Sequence, residues 1–201
     1  MMKNIQECKF CNLDSSIYYN TILEESDNFY VIPSVGSLVD GYILIVSKKH
    51  CNNMLELDLK SKEEYYDLIY KYREIFKKIY NKYPIVFEHG SSNVDNLSAS
   101  SIVHAHTHIV NHKFLDEDKI ILELKFKKIS ICNYNTNRNF KSYIYYINPG
   151  NQTFISFDFK PKSQLIRYYI AQDLNLIKKY DWNKYIGSNN IKSTIKKIKN
   201  Y

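Results

Sequence analysis

The chain has 201 residues, 44% apolar and 24% charged, with a formal net charge of +7. This fits one domain, or one domain with an extension, and excludes a disordered or fibrous protein. The positive surplus favours an anionic partner such as a phosphate-bearing substrate, while the cluster Lys192, Lys196, Lys197 and Lys199 reads as the solvated face of a helix.

Residues 1–7 have no apolar core, so no secretory signal is expected. No window reaches ~18 consecutive apolar residues, so no membrane span is expected, and a cytoplasmic location follows. Four cysteines in such a chain argue for metal ligation rather than a disulfide framework. Residues 29–32 and 41–46 are β-branched and aromatic runs separated by Pro33, Gly36 and Asp40-Gly41, which predicts an antiparallel strand pair. Over 61–83 the spacing becomes helical, with Tyr65, Leu68, Ile69, Tyr72, Ile75, Phe76 and Ile79 on one face. Ser61 and Glu64 form a capping box there, and Pro84 lies beyond the end.

Residues 85–89 predict a third strand, 90–101 a polar loop, and 103–110 a fourth strand with strict alternation. Further on, 120–126 reads as a strand, and 143–147 with 153–159 as a hairpin around Asn148-Pro149-Gly150. Helices over 162–174 and 190–199 close the chain. The fold class is α+β, an antiparallel sheet with packed helices, with a carboxy-terminal α/β extension. The division is a catalytic domain with a metal site over 1–112 and an extension over 113–201 packed on it.

The run His104-Ala105-His106-Thr107-His108 places three imidazoles on one strand face. With 6 histidines in 201 residues, chance produces this pattern roughly half a per cent of the time. Alternate Cα atoms on a strand lie ~6.5–7 Å apart, so one zinc with ligands at ~2.1 Å cannot readily collect all three rings. The three histidines therefore have different roles. Cys8-Lys9-Phe10-Cys11 supplies a thiolate pair at zinc spacing, and no thioredoxin-like helical pattern follows it. His50 at a strand exit is the third ligand and His104 the fourth. Cys51 competes with His50, and spacing alone does not choose between them.

The run from His104 to Val110 resembles the histidine triad motif. Cys8, Cys11, His50 and His104 match the zinc ligands of zinc-bearing members of that superfamily and of the related galactose-1-phosphate uridylyltransferases. Residues 41–50 look like its glycine, apolar strand and basic-then-His segment, and Phe87-Glu88-His89-Gly90 with its polar loop is similar to a longer bacterial-type branch. The resemblance covers residues 5–112 and continues more weakly through Arg167, Ala171, Leu174 and Asp181-Trp182.

It implies an enzyme in which His106 attacks the α-phosphorus of a nucleoside phosphate, giving a nucleotidyl-histidine that water resolves. The other ring nitrogen of His106 would donate to a backbone carbonyl. His108, Ser100 and Ser101 would hold non-bridging oxygens, and Ser34 and Asn93 would complete the substrate contacts. Zinc would be structural, and no divalent metal would enter the chemical step: Asp95 is the only acid between Gly90 and Val110. Three departures stand out: Thr107 at an apolar position, Ser34 at a ribose-binding acidic or amide position, and Ala99-Ser100-Ser101 in place of a Gly-Gln-Ser-like stretch. His108, where uridylyltransferases have Gln, favours hydrolase-like branches. The competing functions are a nucleotidyltransferase or phosphorylase, removal of adenylate from nucleic-acid ends, and a non-catalytic nucleotide sensor. A homodimer is compatible with the family, and nucleic acid is a less favoured partner.

Overall fold

The computed structural model describes residues 8–91, 102–130, 140–160 and 162–201. Eight strands form one sheet among them: β1 (Glu24–Glu25), β2 (Phe29–Pro33), β3 (Tyr42–Ser47), β4 (Ile85–Ser91), β5 (His106–Val110), β6 (Lys127–Ile129), β7 (Ser142–Ile147) and β8 (Thr153–Ser156). Their order is β1-β2-β3-β5-β4-β7-β8-β6, and the paired strands are antiparallel. Four α-helices accompany them: α1 (Leu59–Tyr80), α2 (Glu117–Glu123), α3 (Leu165–Asp173) and α4 (Ser188–Lys199). The sheet runs without a break across residue 112, because β4 pairs with β5 on one side and β7 on the other. Among the described residues no helix is long and apolar enough to cross a membrane.

Register assigns every strand residue to a face, since directly paired residues point the same way. Val31, Ile45 and Thr107 are cross-strand neighbours, as are Ile43, Ile109 and Val86. This face packs on the apolar stripe of α1 (Tyr65, Leu68, Ile69, Tyr72 and Phe76). Thr107, the polar departure in the histidine run, bonds the Tyr65 hydroxyl at 2.8 Å and is thereby satisfied within the core. The opposite face carries Ile32, Leu44, His108, Phe87 and Tyr146 in one cross-strand row. Leu165, Ile166, Ile170 and Ala171 of α3 and Ile120 of α2 belong to the core on that side. Burial on both faces explains why β3 is a continuous apolar run rather than an alternating one.

Three expectations are corrected. Residues 117–123 form a helix where a strand is predicted over 120–126. Asp116 caps it by accepting from the Lys119 amide at 3.1 Å, and Ile120 and Leu124, four apart, are the buried pair. Leu122 between them is 77% exposed, so the short apolar run has helical period, and only 127–129 joins the sheet. Helix α1 begins at Leu59 with Asp58 as its cap, accepting from the Ser61 amide at 2.8 Å. Glu64 instead accepts from the Asn28 amide at 3.0 Å, tying α1 to the start of β2. Finally, β5 begins at His106 rather than 103, so His104 stands just outside the regular strand.

Glu88 of β4 is buried, accepting from the Met54 amide at 2.7 Å and from the Tyr143 hydroxyl. Burial pushes its carboxyl up to about 7. A carboxyl raised on folding binds a proton that the unfolded chain has released, so its stabilising contribution is full below the ordinary carboxylate range. That contribution falls as pH rises towards 7. Glu88→Gln is expected to flatten this slope. Thermal unfolding of both proteins at pH 5, 6, 7 and 8 checks it. Equal pH dependence in wild type and variant would show that Glu88 is not protonated in the fold.

Candidate active site and metal centre

Cys8, Cys11, His50 and His104 converge, each offering one ligand atom, with all four atoms within 4.8 Å of one another. The two cysteines lie on a turn closed by the Asn12 amide donating to the Cys8 carbonyl at 3.1 Å. His50 follows β3, and His104 precedes β5, the strand paired with it. Cys8 Sγ and Cys11 Sγ lie 3.3 and 3.5 Å from His104 Nδ1. His50 Nδ1 lies 3.2 Å from both Cys11 Sγ and His104 Nδ1. A tetrahedral zinc with bonds of ~2.0–2.3 Å spaces its ligands roughly 3.3–3.8 Å apart, so the donor set fits that ion.

The surrounding bonds fit it too. His104 Nε2 donates to the Ser47 carbonyl at 2.7 Å, which fixes the tautomer and turns the Nδ1 lone pair towards the cysteines. Burial and the neighbouring Cys8 push the Cys11 thiol up to about 11. Between the two competitors, the geometry selects His50. Cys51 is buried outside the cluster, its Sγ 3.7 Å from the Ser47 hydroxyl, while its carbonyl accepts from the Ala105 amide at 2.7 Å.

His106 and His108 lie beyond this cluster on β5, half-buried where the sheet borders a cavity of about 490 Å³. His106 Nδ1 donates to the His104 carbonyl at 2.6 Å, the bond anticipated from the sequence, leaving Nε2 with the lone pair. Burial holds this imidazole below its ordinary range, against the opposing effect of that bond. His108 stacks on Phe87, with ring centroids 4.4 Å apart, and its Nδ1 is 2.9 Å from the Tyr42 hydroxyl. Phe10 joins the two centres, its ring 5.6 Å from His104 and 5.2 Å from His106.

The cavity has three walls: the turn carrying Phe10 and Leu13, the β2–β3 strands with Ile32 and Leu44, and the carboxy-terminal segment with Arg167 and Trp182. Ser34 lines it, buried, with its hydroxyl donating to the Val35 carbonyl at 3.3 Å. Asn93, Ser100 and Ser101 lie outside the described residues. His89 also borders the cavity. Its Nε2 has no hydrogen-bond partner among the described residues, and burial pushes the ring down to about 4. His112 is buried, its Nε2 3.2 Å from the Asp173 carboxylate.

Sequence reasoning missed Tyr42 and Phe10, and took Arg167 only as a point of resemblance. An arginine amid Leu165, Ile166, Ile170 and Ala171, all on buried positions of α3, is the signal that was available. The carboxy-terminal segment is fastened to the site through the loop after β2. Gly36 donates to the Ile186 carbonyl at 2.7 Å, and its φ of +80° suits only glycine. A Cβ there would stand 2.6 Å from that of Trp182 and 2.7 Å from Arg167 Nη2.

A family model described as "Protein similar to CwfJ C-terminal" matches residues 1–111, so the chain belongs to that family, within the histidine triad superfamily. No curated protein sequence matches the chain. Among solved structures, it is similar to a hypothetical histidine triad nucleotide-binding protein from Sulfolobus tokodaii. That pair is 16% identical over 96% of this chain and 93% of that one, with a TM-score of 0.44. A zinc-bound histidine triad family protein from Mycobacterium smegmatis is 14% identical over 56% of this chain and 79% of that one, TM-score 0.42. A Hit-like protein involved in cell-cycle regulation from Bartonella henselae is 19% identical over 44% of this chain, TM-score 0.37; the chain spans 63% of its length.

Proposed function

We propose that the protein is a nucleotidyl hydrolase that cleaves a nucleoside 5′-phosphoryl bond through a covalent nucleotidyl-histidine at His106. The bond from His106 Nδ1 to the His104 carbonyl carries this reading, because it leaves Nε2 as a free lone pair on a ring that lines the cavity. A neutral imidazole in that tautomer is a competent nucleophile near neutral pH. Nε2 bonds to the α-phosphorus as the bond to the leaving group breaks. The leaving group departs with that electron pair and takes a proton from solvent. Water then bonds the phosphorus, the phosphorus–nitrogen bond breaks, its electron pair returns to Nε2, and the spare proton is released. With Tyr42 donating to His108 Nδ1, Nε2–H of His108 is left to hold a non-bridging oxygen, where charge develops.

Cys8, Cys11, His50 and His104 would hold a zinc ion, which would supply a closed structural link. The described lining of the cavity offers one carboxylate, Asp14, whose Oδ1 already accepts from the Ser16 amide and hydroxyl. In this reading no divalent ion enters the chemical step, which is consistent with the few oxygen ligands on the described lining.

A substrate labelled at the α-phosphorus tests the reading. Quenching during turnover is expected to leave an acid-labile, base-stable label on His106. With a single-phosphorus substrate, activity is expected to persist for minutes in excess EDTA. Nucleotide binding with no trapped label or product would make the chain a nucleotide sensor. Prompt loss in EDTA, restored by magnesium with zinc still bound, would place a metal in the chemistry.

A further inference from the structure

Arg167 is a buried charge without a counterion among the described residues. Its side chain is 3% exposed. Nε donates to the Tyr180 carbonyl at 3.1 Å and Nη2 to the Gly36 carbonyl at 2.8 Å. Nη1 forms no hydrogen bond of good geometry among the described residues, and no carboxylate among them pairs with the guanidinium. The guanidinium does stand close enough to the Tyr42 hydroxyl to oppose the rise that burial causes in that phenol. Arg73 makes the contrast. It is equally buried, yet gives Nη1 to the carbonyls of Pro84 and Asn148 and Nη2 to that of Pro149. None of its buried nitrogens is left unpartnered. Arg73 is a structural tie, whereas Arg167 holds one donor in reserve.

A buried, unpaired cation is costly and persists where something compensates it. Arg167 borders the cavity that contains His106 and His108, and the guanidinium carbon is 5.5 Å from the centroid of Tyr42, the residue paired with His108. Burial lowers the pKa of both His89 and His108, which disfavours their charged forms, and both rings border the cavity as hydrogen-bonding groups. Lys9, the other cation on the lining, is exposed and lies 4.8 Å over the Trp182 ring. Among the described residues the formal positive charge inside the cavity is therefore Arg167, and it comes from α3, beyond the 1–111 segment that the family model matches.

We propose that Arg167 is the anion-binding residue of this cavity, taking phosphate oxygens on Nη1 beside His108, so that the carboxy-terminal segment completes the site. The proposal rests on the phosphoryl-transfer reading for its ligand class but not on the role of His106. Planar guanidinium donors suit phosphate, and two backbone carbonyls already fix the orientation of this one.

Inorganic phosphate and pyrophosphate are the probes, because they bind whatever base or leaving group the substrate carries. Calorimetric titration of the zinc-loaded full chain is expected to show binding in wild type and in His106→Ala. Arg167→Gln is expected to weaken it at least tenfold, with Arg167→Lys between the two. Circular dichroism and zinc content establish that each variant is folded. Should the Gln variant fail to fold, the same loss is read in Arg167→Lys, which keeps charge but lacks Nη1. Wild-type affinity in either folded variant, or no phosphate binding by wild type at tens of millimolar, overturns the proposal. Weakened phosphate binding without any trapped phosphohistidine would leave Arg167 in place and remove only the catalytic reading.

Discussion

Alanine in place of His106 is expected to lower turnover by about three powers of ten or more while leaving zinc content and melting temperature unchanged. The size follows from the role: no neighbour can take over a covalent nucleophile, and loss of one typically costs several powers of ten. Its neighbour His108 is paired through Nδ1 with Tyr42 and stacked on Phe87, so it is held away from that task. Folding is expected to survive because the ring is half-buried at a cavity wall, outside the cysteine–histidine cluster. Its aromatic contacts are with Phe10 and His108, each held by other packing. Steady-state rates, zinc analysis and a melting curve on the same preparation check all three parts. Retention of more than about a hundredth of the wild-type rate would move the nucleophile elsewhere. In the same assay His108→Ala is expected to lower kcat more than it raises KM, as for a contact that strengthens in the transition state.

Where a pattern was strong and local, the sequence was enough. The continuous apolar run of β3 and the alternation around His106 and His108 each mark a strand, while their pairing with one another is visible only in the fold. The 3.6-residue spacing of α1 leaves its register in little doubt. The short-spaced cysteines suggested a metal site and the family resemblance named His50, whereas spacing alone left Cys51 in competition. The fold places His50, and not Cys51, within the donor cluster.

The carboxy-terminal part was harder to read for a physical reason. Its strands are short and joined across the sheet by β4–β7 pairing, a contact between residues some 55 positions apart, as Tyr143 and Glu88 are. No local period announces such pairing, and the seven-residue α2 is too short to separate from a strand by pattern. Arg167 was legible as an anomaly in a buried helix face, yet its meaning depends on Gly36, 131 positions away. A charge whose partners are remote backbone carbonyls leaves no sequence signature beyond its own presence.

Removing a zinc ligand is expected to cost both metal and stability. Elemental analysis of the native chain should give about one zinc per molecule, and Cys8→Ser or His50→Ala should lower that figure and the melting temperature together. The four donors come from three separate places: the turn at Cys8–Cys11, the exit of β3 and the approach to β5. No α-helix or strand holds that turn, and the ion would anchor it to the sheet. Structural zinc contributes folding free energy directly, although the apolar cores on both faces of the sheet contribute stability of their own. A drop on the order of 10 °C is therefore expected rather than complete unfolding. The consequence reaches the cavity as well, since Phe10 lies between the two cysteines and packs on His106. Cys8→Ser should accordingly raise KM by loosening that wall, even in enzyme that remains folded. Cys51→Ser is the control: its sulfur lies outside the donor set, so metal content should be unchanged. Should Cys51→Ser strip the zinc while His50→Ala keeps it, the ligand set named here is wrong.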